Sequence, residues 1–505
     1  MIDSSFTSFD RSILHDLSKQ SWRRGIVNFF SESIPFSFSS GNEYADLVVE
    51  LFQVFSTYLN QSLNVVEFGA GNGVFAKKCI QKLVDKDCSF HYLVTENVVS
   101  LVNHFDHIDR ISQSHNVDTR VLDIYDFTLE QPFHMGILTY LLDTCPVKIM
   151  ELKDGALHEW LVSVSVKHDS TLTLILDGEF VVWEKKDIET FLSQPIKDDH
   201  LSVLSRIHDC LDIRWKLSKC NAAELDSTGI LDAWLAKQAS SDQGVFTFSS
   251  SWWTILDSLR YHVADPFMLV LYDFASIQST QFKTYLESFG QFGICYFYSV
   301  SFFLFEQYCR HHDMQFIASQ FPDSDNQIAV MTSLKSGVFN NEVVSLFDRT
   351  EPGKVVYEYA LMIQQANSLE GCLALIRQAK ECLTCDQQSD YVFLFSIAST
   401  LYDFKCYDQV IFYVDFILKD YGQLSLNAIL LKSKALRKNG FIHDALTLVE
   451  SGIKHAPTYD LFYLEKAFIA QELNQLDLVK DALIGYFDTV MANPQWHLLD
   501  LLKKL

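Results

Sequence analysis

Between Val65 and Ala76 the chain reads VVEFGAGNGVFA. Two β-branched residues lead into Glu67, and Gly69, Gly71 and Gly73 follow at alternate positions. A strand that turns this sharply into a helix presents backbone N–H groups and the helix N-terminus to a ligand. Glycine removes the Cβ atoms that would hold that ligand away. A phosphate-binding P-loop needs Gly-Lys-Ser/Thr after its glycines. Here Lys77-Lys78-Cys79 is misplaced and lacks the hydroxyl. A dinucleotide loop needs G-x-G-x-x-G, whereas residue 74 is Val and the third glycine comes one residue early, at Gly73. The pattern that remains is E-x-G-x-G-x-G, with a carboxylate at its entry.

Such a loop has to join a buried strand to a helix, and the flanking sequence supplies both. NVVEFG reads as a short buried strand, and GVFAKKCIQKLV as a helix with Val74, Phe75, Cys79, Ile80 and Leu83 apolar. SFHYLVTE is a second strand ending at Glu96, and NVVSLVNHFDHI a second helix. TRVLDI is a third strand, ending at Asp123-Ile124, and HMGILTYL a fourth. This alternation predicts βαβ units and a parallel sheet covered on both faces, hence an α/β fold.

Residues 1–60 read as a mostly helical segment that leads into a domain over 61–345. Within that domain, 156–183 is β-rich, with KHDS as the turn of a hairpin, and 184–243 reads as a polar helical insertion. PFMLVLYDF and FGICYFYSVSF return to buried strands. From 355 to 505 helix follows helix. Ala445 and Pro457 lie 12 residues apart, as do Ala482 and Pro494, and Val410 and Gly422 one repeat earlier. The offsets, 35 and 37 residues, resemble a tetratricopeptide array with slippage; its repeats span about 34 residues. Such arrays stack into curved surfaces that hold peptides or proteins. An irregular helical bundle is the alternative.

The chain's 505 residues suggest two to four domains, at roughly 100–200 residues each. At 48% hydrophobic and 21% charged it can bury sizeable cores. Forty basic residues against 64 acidic ones give a net charge of −24, which argues against a nucleic-acid partner. Arg23-Arg24 is the tight basic cluster near the start. No stretch reaches the roughly 18 apolar residues of a membrane span, so no membrane is expected. Eleven scattered cysteines without a framework pattern read as reduced thiols in a cytoplasmic setting. Cys382-Leu-Thr-Cys385 lacks a second ligand pair and reads as packed helix thiols; no metal site is expected. CRHHD (309–313) reads as a solvated helix end, and Trp252-Trp253 as one core residue and one half-exposed residue.

The E-x-G-x-G-x-G pattern resembles motif I of the Rossmann-like methyltransferases. That resemblance implies S-adenosylmethionine as cofactor. Glu67, Gly69, Gly71 and Gly73 would line its amino-acid part, Glu96 would take the ribose hydroxyls, and Asp123 and Ile124 would contact the adenine. A second resemblance spans roughly residues 25–335. SFSSGNEYADLVVELF, GILTYLLDTCPV, LVLYDFAS and YFYSVSFFLFEQYCRHHDMQFIASQ are similar, in order, to segments of the MidA-like methyltransferases. That family includes the mitochondrial factor for respiratory complex I assembly, and its mitochondrial branch is associated with arginine methylation. The resemblance therefore implies a methyltransferase acting on a protein, with the helical arm binding the protein substrate or a partner.

The departures fall on the acceptor side. Where the family reads close to Asn-Glu-Leu-Leu-Asp-Ala-Leu-Pro, this chain has Thr139-Tyr140-Leu141-Leu142-Asp143-Thr144-Cys145-Pro146. Its Val-Asp-Phe is Val300-Ser301-Phe302, and its Asp-Tyr-Gly is Asp273-Phe274-Ala275. Asp143 and Tyr140 are the catalytic candidates. Arginine stays protonated well above neutral pH, so carboxylates must orient it; Tyr140 and Ser301 remove two. This leaves a different nucleophile, or a degenerate scaffold whose repeats do the work. Small-molecule methylation fits the fold but not the second resemblance.

Overall fold

The computed structural model describes residues 5–21, 41–59, 61–103, 105, 108, 116–176, 179–194, 207–238, 242–292, 295–321, 324–349 and 351–490. Arg23-Arg24, much of the 1–60 segment, parts of the 184–243 insertion and Pro494 lie outside them. Among the described residues no helix is long and apolar enough to cross a membrane.

Near-continuous apolar runs in the inner strands build a central sheet whose middle is buried on both faces, as a parallel sheet requires, while its edge strands are more exposed. Its strands are β1 (Leu63–Phe68), β2 (Phe90–Glu96), β3 (Val117–Val121), β4 (Phe133–Thr139), β5 (Val263–Ser276), β6 (Gln315–Ala318) and β7 (Asn326–Thr332). They lie in the order β3-β2-β1-β4-β5-β7-β6, with the two-residue strand Val300–Ser301 also pairing β5. From β3 to β5 every pairing is parallel, whereas β7 runs antiparallel to both β5 and β6. The first five strands thus follow the order of a doubly wound Rossmann sheet, in which ligands bind where the strand order reverses, beyond the carboxyl ends of the strands. In this chain that point lies between β1 and β4.

One face is covered by α1 (Asn42–Ser56), α2 (Val74–Asp85) and α5 (Gly337–Phe347). Tyr44, Phe55, Cys79, Ile80 and Phe339 fill that core. The other face carries α3 (Ser250–His262), α4 (Phe302–His311) and an inserted antiparallel sheet. The inserted strands run in the order Gly244–Phe248, Lys148–Lys153, Ala156–Val166, Leu211–Lys219.

Three sequence expectations are corrected here. KHDS does not turn a hairpin: Ala156–Val166 pairs with Leu211–Lys219, while the hairpin is Thr171–Leu176 with Glu179–Glu184. The 184–243 stretch is also not wholly helical. LDIRWKLSK alternates apolar and polar residues, the period of a half-buried strand, and supplies the last inserted strand. Trp252 and Trp253 are both buried, so neither is half-exposed.

The C-terminal region is all helix: α6 (Lys354–Gln364), α7 (Leu369–Cys382), α8 (Tyr391–Asp403), α9 (Tyr407–Tyr421), α10 (Leu426–Lys438), α11 (Ile442–His455), α12 (Asp460–Glu472) and α13 (Leu476–Val490). Three helix pairs begin at Tyr391, Leu426 and Asp460, spaced 35 and 34 residues. Val410 and Ala445 are the buried fourth residues of the first two second helices; in the third that place belongs to Val479, and Ala482, which the sequence spacing suggested, lies three residues further on. Arg437 ties successive pairs together through Glu465 (Nε–Oε1 2.7 Å) and Glu472 (Nη1–Oε1 2.6 Å). Cys382 and Cys385 are exposed, not packed: Cys382 is the last residue of α7 and Cys385 the first of the short helix Cys385–Gln388.

Candidate active site

The glycine turn leaves β1 and enters α2. Gly69, Gly71 and Gly73 take φ of 69°, 58° and 73°, left-handed values that cost an L side chain about 1–2 kcal/mol. A Cβ on Gly73 would stand 2.8 Å from Ile108 and 2.9 Å from Phe105; one on Gly69 would stand 2.9 Å from Leu141. The turn is therefore required by the chain's own packing as well as by any ligand. The Leu141 contact also brings the end of β4 against the loop.

Glu96 sits at the carboxyl end of β2 and is buried. Its Oε2 accepts the Gly71 N–H at 2.9 Å, and its Oε1 accepts those of Asn97 (2.8 Å) and Val98 (3.0 Å). Burial raises its pKa, and these three bonds oppose the rise. A carboxylate has about four lone-pair sites, so one remains for a ligand hydroxyl. Glu67 lies one strand away, 2% exposed, on the α2 side of the sheet. Tyr92 OH donates to its Oε2 at 2.8 Å, and Thr95 Oγ1 donates to its carbonyl at 2.7 Å. Burial pushes Glu67 up to about 8; the Tyr92 hydrogen bond opposes this and the charge of Glu96 adds to it. β3 ends at Val121, two residues before the sequence expectation. The next residue, Leu122, donates its N–H to Glu96 O at 3.0 Å, which draws Asp123 and Ile124 alongside. Asp123 is exposed and accepts the Tyr125 N–H at 3.0 Å; Ile124 is buried.

The catalytic candidates separate. Tyr140 is half-buried at the end of β4, with φ of 48°. Asp143 is 1% exposed, in the turn Leu142–Thr144. Its N–H donates to Asp273 Oδ1 at 3.3 Å, and the two buried carboxyls interact. Burial raises both; the charge of Asp143 raises Asp273 further. Two such groups resist being ionised together. This pair fastens the 142–144 turn to β5.

Several neighbours carried no short-range signal. Tyr92 was legible in hindsight: in β2 it shares a face with Val94 and Glu96, and Val94 pairs with Glu67. Asn326 and Glu351 were not, because they lie 186 and 211 positions along the chain from Tyr140.

The helical arm meets the loop's own helix. Val74 and Leu101 belong to the arm's buried core, and Val98 packs against it. Lys77 Nζ donates to Asp420 O at 2.6 Å, and Lys78 Nζ to Tyr421 OH at 2.8 Å. Glu43 of α1 accepts the Gly353 N–H (2.7 Å) and Gln387 Nε2 (2.8 Å). Lys82 bridges Asp46 and Asp386 at 2.8 and 3.0 Å. The residues flanking both Gly73 and Glu96 are thus held from behind by the arm.

No family model matches the chain, and no curated protein matches it. Solved structures similar to it include an uncharacterised superfamily protein of Burkholderia thailandensis, at 11% identity and a TM-score of 0.41, over 67% of this chain and 90% of that one. A member of the same superfamily from the same organism, bound to S-adenosyl-homocysteine, gives 11% and 0.41 over 68% and 91%. The N-methyltransferase NodS of Bradyrhizobium japonicum, also with S-adenosyl-homocysteine, gives 8% and 0.30 over 63% and 100%.

Proposed function

We propose that the chain is an S-adenosylmethionine-dependent methyltransferase of MidA-like type, acting on a protein substrate that its tetratricopeptide-like arm helps to hold. One observation carries this reading. Three left-handed glycines stand at the point where the strand order reverses, joined to a buried acid at the end of β2 through Gly71 and Glu96. These residues fit the cofactor. Gly69, Gly71 and Gly73 would bring backbone close to its amino-acid part, with Glu67 beneath; Glu96 would offer its remaining lone pair to a ribose hydroxyl; Asp123 and Ile124, drawn alongside Glu96, would face the adenine. When bound, the cofactor supplies an electrophilic methyl group on a sulfonium. The protein's contribution to such a displacement is chiefly positioning. Asp143 serves this at one remove, by fixing the turn after β4 against β5.

The second reading is a catalytically degenerate scaffold. It is favoured by the same acid: Glu96 already takes three backbone N–H groups, and Leu141 fills the space beside Gly69. Calorimetry with S-adenosylmethionine and S-adenosylhomocysteine separates the two. Micromolar binding by the wild type that is lost in Gly71→Arg supports the enzyme. No binding by a folded wild type supports the scaffold.

A further inference from the structure

Tyr140 is a bulky residue held in the left-handed region, at the carboxyl end of β4. Such residues are kept only where their surroundings hold them, and they cluster at functional sites. Here the surroundings are well defined. The Tyr140 N–H donates to Tyr272 O at 2.8 Å, extending the β4–β5 ladder, and the two rings pack 5.2 Å apart. Its hydroxyl donates to Asn326 Oδ1 at 3.2 Å. Asn326 Nδ2 in turn donates to Glu351 Oε1 at 3.4 Å, and the Asn326 N–H donates to Ser324 Oγ at 3.0 Å. Asn326 opens β7, and Glu351, buried at 6% exposure, lies in the linker to the arm. With its proton committed to Asn326, the Tyr140 oxygen can act only as an acceptor. The adjacent Leu141 touches the glycine loop, so this wall stands beside the cofactor residues.

We propose that Tyr140, Asn326 and Glu351 form the acceptor wall of the site: Tyr140 receives an N–H of a methyl-accepting amine, while Asn326 and Glu351 act as positioning residues. The proposal rests on the methyltransferase reading above. An acceptor oxygen backed through Asn326 by the buried acid Glu351 suits a nitrogen acceptor, which gains positive charge as it is methylated. It disfavours a hydroxyl, which must first become an oxyanion. A guanidinium calls for two parallel contacts to a carboxylate that faces it. Tyr140 offers one oxygen, and Glu351 stands behind Asn326. The acceptor class is therefore a primary or secondary amine. The nitrogen lone pair forms the N–C bond as the C–S bond breaks with its electron pair leaving on sulfur; the nitrogen then sheds a proton to water.

Sinefungin tests this without knowledge of the substrate, because it carries an amine where S-adenosylmethionine carries its methyl sulfonium. Calorimetry on the full chain would compare sinefungin with S-adenosylhomocysteine in the wild type, Tyr140→Phe and Glu351→Gln. The wild type is expected to prefer sinefungin by about tenfold. Tyr140→Phe, which removes one oxygen, should abolish the preference; Glu351→Gln, which keeps a hydrogen-bonding group, should reduce it by about threefold. S-adenosylhomocysteine affinity should be unchanged in both variants. Normal S-adenosylhomocysteine binding with the same sinefungin ratio in all three proteins overturns the proposal. Failure of a folded wild type to bind S-adenosylhomocysteine overturns the underlying reading instead.

Discussion

Glu96→Gln probes the acid that joins the glycine loop to β2. The carboxylate accepts three backbone N–H groups, with Asn97 and Val98 on one oxygen and Gly71 on the other. A glutamine has one carbonyl oxygen. Kept on Asn97 and Val98, it turns its NH2 toward the Gly71 N–H, two donors face to face. Turned the other way, it abandons two bonds. The smaller loss is one hydrogen bond to a charged group, about 1.5–3 kcal/mol. Part is returned, because a neutral amide is cheaper to bury than a carboxylate whose pKa burial already raises. A net cost of about 1–2 kcal/mol falls on the closed loop, and a bound ribose hydroxyl would lose its charged partner as well. Calorimetry with S-adenosylhomocysteine should then show affinity lower by about ten- to a hundredfold, with a modest drop in melting temperature. An affinity within about twofold of wild type, alongside that same thermal loss, would mean that Glu96 only staples the loop and that ligand contact lies elsewhere.

Glu67 predicts a pH dependence. Its folded pKa of about 8 stands above the unfolded value near 4.5, so its contribution is full below about 4.5 and is lost as pH rises toward 8, at up to about 1.4 kcal/mol per pH unit. Glu67→Gln should therefore melt above the wild type by a margin that widens from pH 5 to pH 8; a margin independent of pH would refute the buried acid. Asp143→Asn keeps a hydrogen-bonding group beside Asp273 without a second charge. It should hold its melting temperature at pH 8, whereas Asp143→Ala, which strands a buried carboxyl, should lose about 1–3 kcal/mol; equal melting of the two would argue against the paired turn. Val74→Asp places a charge in the buried seam between α2 and the arm, where Val74 is 3% exposed. Limited proteolysis should then release the arm, and S-adenosylhomocysteine affinity should fall with it; release without a change in affinity would show that the arm does not support the loop.

What was legible in the sequence follows a physical division. Periodicity and turn chemistry are local, so the βαβ run through β4, the three glycines and the acid ending β2 could be read directly. The sheet's far edge was less so, because nothing in QFIA or NQIAVMT states that β7 enters antiparallel between β5 and β6. LDIRWKLSK was missed although its alternation is plain, because polar flanks suggested helix. Asp143 was singled out for chemistry by its place in a motif. Its burial against Asp273 depends on a strand 130 residues later, and no local pattern carries that. The same holds for Asn326 and Glu351: the wall around Tyr140 is assembled from three distant segments.

That assembly bears on why the arm is attached at all. Glu351 lies in the linker, two residues before Gly353, whose N–H is held by Glu43 of α1. Glu43 also holds Gln387 of the arm, and Lys82 of the loop's own helix bridges α1 to Asp386. The linker acid at the acceptor wall, the helix behind the glycines and the first repeats of the arm are therefore one connected set of contacts. A partner that shifts the repeats relative to α2 works against the Val74 seam and the Glu43 clamp, and so displaces Glu351 and the loop together. By linkage, any free energy with which cofactor binding favours the docked arm is the free energy with which a docked arm favours cofactor. On this geometry the first repeats of the arm back the glycine loop and the linker acid together, through Val74, Glu43 and Lys82.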